Sequence, residues 1–314
     1  MRPLSRNERA ITVNALKRAV PYIRMFKRKI FVLKAGGDAF VSAEGTRALM
    51  EQVGILHGVG IRVVVVHGGG PQSTELARSL GVSSEFVEGR RITDRRSLEV
   101  ATMVLNGQIN TRILAACRDL NIAAVGISGV DAGLIKAHRR PPVATGDDSG
   151  ETVDYGFVGD IDEVDAGILL KQLDDDLVPI VSPLSADESG TLLNINADTV
   201  AAAIAEALAA EKLILATGAP GILESVDDPR SVISYVDVAG LGRLRREGRL
   251  SDGMLPKAAA IENALRGEVA RVHVISWKLP DSLLLEVFTN EGTGTLVVND
   301  IRNLSPAEQQ GEKP

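Results

Sequence analysis

The stretch Ile30-Phe31-Val32-Leu33-Lys34-Ala35-Gly36-Gly37 decides how this chain is read. An aliphatic, partly β-branched run that stops at consecutive glycines reads as a buried strand ending in a turn whose backbone N–H groups can approach an anion closely. A second stretch has the same design: Val63-Val64-Val65-Val66-His67-Gly68-Gly69-Gly70. Here Pro71 opens a helix directly after the glycines, so a helix N-terminus adds to the turn's affinity for negative charge. Together the two turns point to a phosphate or carboxylate held between them. Neither fits G-x-x-x-x-G-K-[ST], and G-x-G-x-x-G is absent, which argues against a P-loop or a dinucleotide fold by motif.

Working outward, strand-like and helix-like segments alternate from Lys29 onward. The patterns predict strands over 30–34, 62–67, 122–127, 179–183, 212–216 and 271–276, and helices over 43–59, 71–80, 95–120, 162–173, 196–210 and 254–266. Strands separated by helices imply βαβ crossovers and an α/β fold around a mainly parallel sheet. Ahead of them, residues 7–28 place Ile11, Val13, Leu16, Val20, Ile23 and Phe26 at helical spacing among basic residues, with Pro21 expected to kink or divide the helix. The stretch His138 to Val153 reads as a hairpin or mobile loop, and Ser305 to Pro314 as a polar, frayed end.

Composition agrees. The 314 residues are 45% hydrophobic but only 3% aromatic, the palette of a parallel sheet covered on both faces. A formal net charge of -6 disfavours nucleic acid as a partner and favours a small anion held locally. The single Cys117 excludes an internal disulfide and, with four scattered histidines, gives no basis for a structural metal site. Neither a secretory signal nor a membrane-length apolar run is visible, so the expectation is a cytoplasmic protein with no membrane partner.

Three further clusters carry chemistry. Gly89-Arg90-Arg91-Ile92-Thr93-Asp94 places two guanidinium groups ahead of a helix capped by Thr93 or Asp94, and a guanidinium binds a carboxylate through two parallel hydrogen bonds. Asn194-Ile195-Asn196-Ala197-Asp198 marks a strand-to-helix transition, where Asn196 serves as N-cap and leaves two polar residues unexplained. Ser251-Asp252-Gly253-Met254-Leu255-Pro256-Lys257 sets Lys257 near a helix N-terminus, a place unfavourable for a cation unless an anion is close by.

In this order the five motifs resemble the acetylglutamate kinase family of the amino-acid kinase fold, over about residues 29–299. The chain is also similar to the kinase-like domain of N-acetylglutamate synthases. The resemblance implies an αβα sandwich in two lobes: a helical extension over 1–28 that contacts a second copy, an N-terminal lobe over 29–208, a nucleotide lobe over 209–300 and a tail over 301–314. It implies transfer of the ATP γ-phosphoryl group, with Mg²⁺ bridging the nucleotide phosphates, to the side-chain carboxylate of N-acetyl-L-glutamate or a related acylglutamate in arginine biosynthesis. By motif position Lys34 and Lys257 would neutralise the moving charge, Gly36, Gly37 and Gly69 would donate N–H groups, Arg91 and Asn194 would hold the substrate beside Gly70, and Asp198 would orient both lysines. The N-terminal helix with Tyr22, together with His273, Glu291, Gly292 and Gly294, resembles the arginine-inhibited branch, in which arginine binds beside that helix and dimers join as a hexamer.

The resemblance is broken at two places in the nucleotide lobe. Ala216-Thr217-Gly218-Ala219-Pro220-Gly221 has a glycine where the family usually carries an aspartate, and Asp252 stands where a glycine is common. These departures motivate the alternative of a non-catalytic homologue that senses arginine or acylglutamate; a third reading, a kinase for a related acylated amino acid, keeps the chemistry and changes the pocket.

Overall fold

The computed structural model describes residues 5–83, 85–87, 90–144, 152–225, 227–250 and 253–304. An eight-stranded sheet runs through its centre, in the spatial order Tyr235–Asp237, Thr295–Val298, Arg271–Ser276, Lys212–Thr217, Ile30–Ala35, Arg62–His67, Val178–Ser182 and Ala124–Ser128. From Arg271–Ser276 to Ala124–Ser128 every neighbouring pair is parallel. Thr295–Val298 runs antiparallel to Arg271–Ser276 and carries Tyr235–Asp237 alongside in its own direction.

Side-chain alternation along the strands builds two cores. Phe31, Leu33, Val63 and Val65 face one side, under the helices Ala43–Gly58, Gly70–Ser79, Arg95–Thr102, Thr111–Asp119 and Ser282–Phe288. Val32, Val64 and Val66 face the other, under Gly167–Asp174, Ala197–Ala207, Val238–Arg246 and Leu255–Arg266. Helices on both faces make an αβα sandwich and explain why the strands read as unbroken aliphatic runs. The carboxyl ends of Ile30–Ala35, Arg62–His67 and Lys212–Thr217 lie side by side at the middle of the sheet. Since the chain leaves Ile30–Ala35 toward Arg62–His67 and later returns to its other flank, this is the switch point where open α/β sheets bind ligands.

Several expectations need correction. Residues 162–164 do not start a helix: Gly159–Val164 is a strand antiparallel to Ile135–Arg139, in a second, four-stranded sheet completed by Leu184–Ala186 and Leu192–Asn194. The helix begins only at Gly167, whose N–H donates to Asp165 Oδ1. Pro21 does not divide the first helix, which runs unbroken over Arg6–Phe26 from a capping box of Ser5 and Glu8. Lys17 and Pro21 are both exposed, so water can satisfy the carbonyl that the proline leaves without a donor. The expected helix 95–120 contains a widened π-type stretch over Met103–Asn110. Val143–Ala144 pairs antiparallel with Thr152–Val153, and residues 145–151 lie outside the described residues. The tail is packed at its start, where Ile301–Asn303 forms a 3₁₀ turn and Leu304 is buried, while Ser305 to Pro314 fall outside the described residues. Among the described residues no helix is long and apolar enough to cross a membrane.

Candidate active site

The two glycine turns touch. A Cβ on Gly37 would lie 2.7 Å from the Gly69 Cα, and a Cβ on Gly69 would lie 2.7 Å from Leu105 Cδ2 and 2.8 Å from Ile109 Cδ1. Gly37 needs glycine for space against the Gly69 backbone, whereas at Gly69 the wall is made by side-chain ends of the π-type stretch Met103–Asn110. The same stretch fixes His67. Asn110 Nδ2 donates to the Ile180 carbonyl at 2.9 Å and lies 3.3 Å from His67 Nε2, while His67 Nδ1 is 3.3 Å from the Gly68 carbonyl. Burial lowers the His67 pKa to about 4 against a weaker opposing pull from that carbonyl, so the ring is neutral at pH 7 and serves to hold the turn. The first turn is pinned as well, by Gln72 Nε2 on the Gly37 carbonyl and Arg112 on the Phe40 carbonyl.

Beyond the turns opens a cavity of 520 Å³ whose lining includes Lys34, Gly37, Gly69, Arg91, Asn194 and Asp198. Two helices reach it by their N-termini, Gly70–Ser79 and Leu255–Arg266, and neither has a side-chain cap. Their first-turn N–H groups therefore add positive potential beside the cavity. The third helix start, at Ala197, is capped by Asn196 Oδ1, which accepts from Asp198 N at 2.8 Å and Thr199 N at 3.2 Å.

Asp198 joins the two lysines that sequence separates by more than two hundred residues. Lys34 Nζ lies 2.8 Å from its Oδ1, and Lys257 Nζ lies 3.0 Å from its Oδ2. All three side chains are nearly buried. Burial alone would raise the Asp198 pKa, but Lys34 and then Lys257 outweigh it and hold the carboxyl below its ordinary value. Burial, followed by the like charge of Lys34, lowers the Lys257 pKa against the pull of Asp198. The triad keeps one net positive charge where an incoming anion can use it. It also resolves the conflict at Lys257, because the carboxylate that tolerates a cation at this helix N-terminus belongs to the protein.

Arg91 Nη2 donates to Thr74 Oγ1 at 2.6 Å and its guanidinium lies over the Phe86 ring, so the group is oriented from two sides. Asn194 ends the strand Leu192–Asn194 and lines the same cavity, where Gly70 also lies. Asp94 is the residue that caps its helix, accepting from Ser97 N at 2.7 Å. Gly89 lies outside the described residues, as does Asp252.

A second cavity, of 440 Å³, lies past the end of Lys212–Thr217, lined by Thr217, Gly218, Ile222, Arg249 and Met254. The two cavities share Lys34, Gly36, Asp38, Gly253 and Lys257. Two chambers meeting at a pair of lysines have the form needed to pass an anionic group from one bound molecule to another. Residues 29–276 match the amino acid kinase family.

The chain belongs to the amino acid kinase family.

Its relatives include the acetylglutamate kinase of Myxococcus xanthus, 46% identical over 290 residues that make up 91% of this chain and 94% of that one. The acetylglutamate kinase of Symbiobacterium thermophilum is 44% identical over 283 residues, 90% of this chain and 96% of its own. Among solved structures, N-acetylglutamate synthase from Neisseria gonorrhoeae, complexed with coenzyme A and N-acetyl-glutamate, superposes with a TM-score of 0.79 at 26% identity, over 92% of this chain. This chain spans only 63% of the length of that synthase, which is also known complexed with coenzyme A and L-arginine.

A third cavity in this amino acid kinase, of 380 Å³, brings together Tyr22, His273, Glu291, Gly292 and Gly294. Tyr22 O–H donates to Asn290 Oδ1 at 2.5 Å, tying the first helix to the loop after Ser282–Phe288. The motifs did not single out Lys212 or Glu286, which also line this cavity. His273 Nδ1 lies 2.6 Å from Glu286 Oε1 and His273 Nε2 lies 2.9 Å from Lys212 Nζ, so a neutral ring protonated on Nδ1 satisfies both contacts. Burial first, then the charge of Lys212, lowers the His273 pKa. Burial would raise the Glu286 carboxyl, but the bond to His273 and the Thr293 N–H hold it at about 2. Their sequence signal was weak: one lysine beginning a buried strand, and one glutamate in the otherwise apolar run Leu283-Leu284-Leu285-Glu286-Val287-Phe288.

The sequence reading also passed over Asp38 and Trp277. Trp277 Nε1 donates to Asp38 Oδ2 at 2.8 Å, and that oxygen lies 3.4 Å from where a Cβ on Gly218 would stand.

Proposed function

We propose that this chain is an acetylglutamate kinase that moves the γ-phosphoryl group of ATP to the side-chain carboxylate of N-acetyl-L-glutamate. The observation that carries this reading is the meeting of the 520 Å³ and 440 Å³ cavities at Lys34 and Lys257. Acylglutamate occupies the first, with Arg91 and Asn194 on its α-carboxylate and acylamino group and Gly70 beside it. The nucleotide occupies the second, so that the N-terminal lobe over 29–208 serves the acceptor and the lobe over 209–300 the donor. A carboxylate is already a nucleophile, so no general base is required, and catalysis reduces to in-line positioning and neutralisation of the moving charge. Lys34, Lys257 and the N–H groups of Gly36, Gly37 and Gly69 supply the second of these. Asp198 sets the lysines in place and takes no proton. The buried, intact triad favours catalysis over a purely sensing role.

Among the described residues no group of three His, Cys, Asp or Glu converges as a metal site. Mg²⁺ needs none, since it commonly takes its ligands from substrate phosphates, water and one or two carboxylates.

The third cavity suits arginine, whose guanidinium and α-amino group would face Glu286 and Glu291 and whose carboxylate would face the basic residues on its wall. The helix over 6–26 suits contact with a second copy in a dimer or hexamer, because Ile11 is 68% and Leu16 is 60% exposed. A cytoplasmic setting goes with such substrates.

The test is an assay with ATP, Mg²⁺ and N-acetyl-L-glutamate in which hydroxylamine traps the acyl phosphate. Hydroxamate formation is expected from wild type, with turnover about 10²- to 10³-fold lower in Lys34→Ala. Folded wild-type protein that yields no hydroxamate overturns the reading.

A further inference from the structure

We propose that Asp38 is the protein carboxylate that receives the divalent cation carried by the nucleotide's phosphates, an inference that rests on reading the second cavity as the nucleotide site. Asp38 follows the first glycine turn and lines both cavities, at the boundary marked by Lys34 and Lys257. Its carboxylate accepts one hydrogen bond and lies close over the first glycine turn. Oδ1 folds back over Gly36, where a Cβ would lie only 2.3 Å away, and Oδ2 accepts the Trp277 indole N–H at 2.8 Å. The group therefore spans from the end of Ile30–Ala35 to the end of Arg271–Ser276, over Gly218 at the end of the strand between them. A Cβ on Gly218 would stand 3.4 Å from Asp38 Oδ2 and 3.6 Å from Lys278 Nζ, ordinary contact distances, so this strand end passes close beside the carboxylate.

A fixed carboxylate facing the path of a polyphosphate is repulsive by itself. A divalent cation between the two reverses the sign, and Mg²⁺ binds in this way, through one or two carboxylates together with substrate phosphates and water. The indole bond occupies one oxygen of Asp38 and leaves lone pairs for such a ligand.

The experiment measures binding of a non-hydrolysable ATP analogue to the full chain by calorimetry across a Mg²⁺ titration, with Mn²⁺ as a paramagnetic probe of the ternary complex. Asp38→Asn keeps an oxygen that can accept the indole N–H but loses the negative charge. It should raise the Mg²⁺ concentration for half-maximal nucleotide binding by about 10-fold or more and alter the Mn²⁺ spectrum. Trp277→Phe keeps the carboxylate and should leave the metal requirement within about 3-fold of wild type. An unchanged metal requirement and Mn²⁺ spectrum in Asp38→Asn overturns the proposal while leaving the nucleotide site standing. Failure of wild type to bind the analogue at any Mg²⁺ concentration instead overturns the nucleotide reading on which it rests.

Discussion

At the scale of single residues, chemistry at this site is fixed by charges that cannot be separated. Asp198 is buried against two ammonium groups, so its removal leaves like charges facing each other in a poorly solvated place. Asp198→Asn is expected to lower kcat by at least about 10²-fold while changing the KM for N-acetyl-L-glutamate by less than about 3-fold, because in the proposed function the residue acts through the lysines and not on the acceptor. His67 gives a prediction in pH. Its pKa is about 4 in the folded chain, below the ordinary 6.5, so between these values the unfolded chain holds the proton and the folded chain does not. Stability therefore falls as pH drops from 6.5 toward 4, by up to about 3 kcal/mol from this group. Urea melts at pH 7 and pH 4.5 should show a smaller loss in His67→Gln than in wild type; an equal loss would assign the acid sensitivity to other groups. Gly69→Ala should reduce stability, since its methyl group would meet the side-chain ends of Leu105 and Ile109 and force them to shift.

At the scale of elements, caps and helix ends do the positioning. Asn196 closes the helix Ala197–Ala207 and thereby fixes the backbone from which Asp198 projects. Asn196→Ala should cost about 1 kcal/mol in urea unfolding. The first helix poses a different problem. It is exposed from Arg9 to Arg18, and among the described residues Ile11, Val13 and Leu16 stay more than half uncovered. Ile11→Asp with Leu16→Asp should leave the melting temperature of the body within a few degrees and shift the mass in light scattering to a smaller oligomer. An unchanged mass would assign the helix another role. The π-type stretch Met103–Asn110 is an element that pattern reading missed, because an inserted residue leaves helical periodicity nearly intact on either side while re-aiming Leu105, Ile109 and Asn110 toward the second glycine turn.

At the scale of the whole molecule, strands connect the two kinds of site. Lys212 begins a strand at the third cavity, and the same strand ends with Thr217 at the second cavity, the one proposed to take the nucleotide. Ligands that bind only the folded chain raise its apparent stability by mass action, by about 2.7 kcal/mol at a hundredfold excess over Kd. N-acetyl-L-glutamate, ATP with Mg²⁺ and arginine should each raise the melting temperature, and Glu286→Gln should abolish the arginine shift alone. Absence of an arginine shift in wild type would remove the effector reading.

The mainly parallel sheet, the two glycine turns and the residues Lys34, Arg91, Asn194, Asp198 and Lys257 were legible in the chain by itself, because each depends on a local rule: a buried strand reads as an aliphatic run, a close approach demands glycine, and a cap or turn has its own composition. What the tertiary structure alone decided is which of these meet. Asp198 stands between two lysines 223 residues apart because three strand ends and two helix starts converge, and no local pattern records that convergence. The short strands Ile135–Arg139 and Gly159–Val164 escaped because half-exposed, charged strands lack the aliphatic signal. Asp38, Trp277, Lys212 and Glu286 escaped because an isolated polar residue acquires meaning only from neighbours that folding brings to it, as the indole of Trp277 is brought to Asp38 beside Gly218.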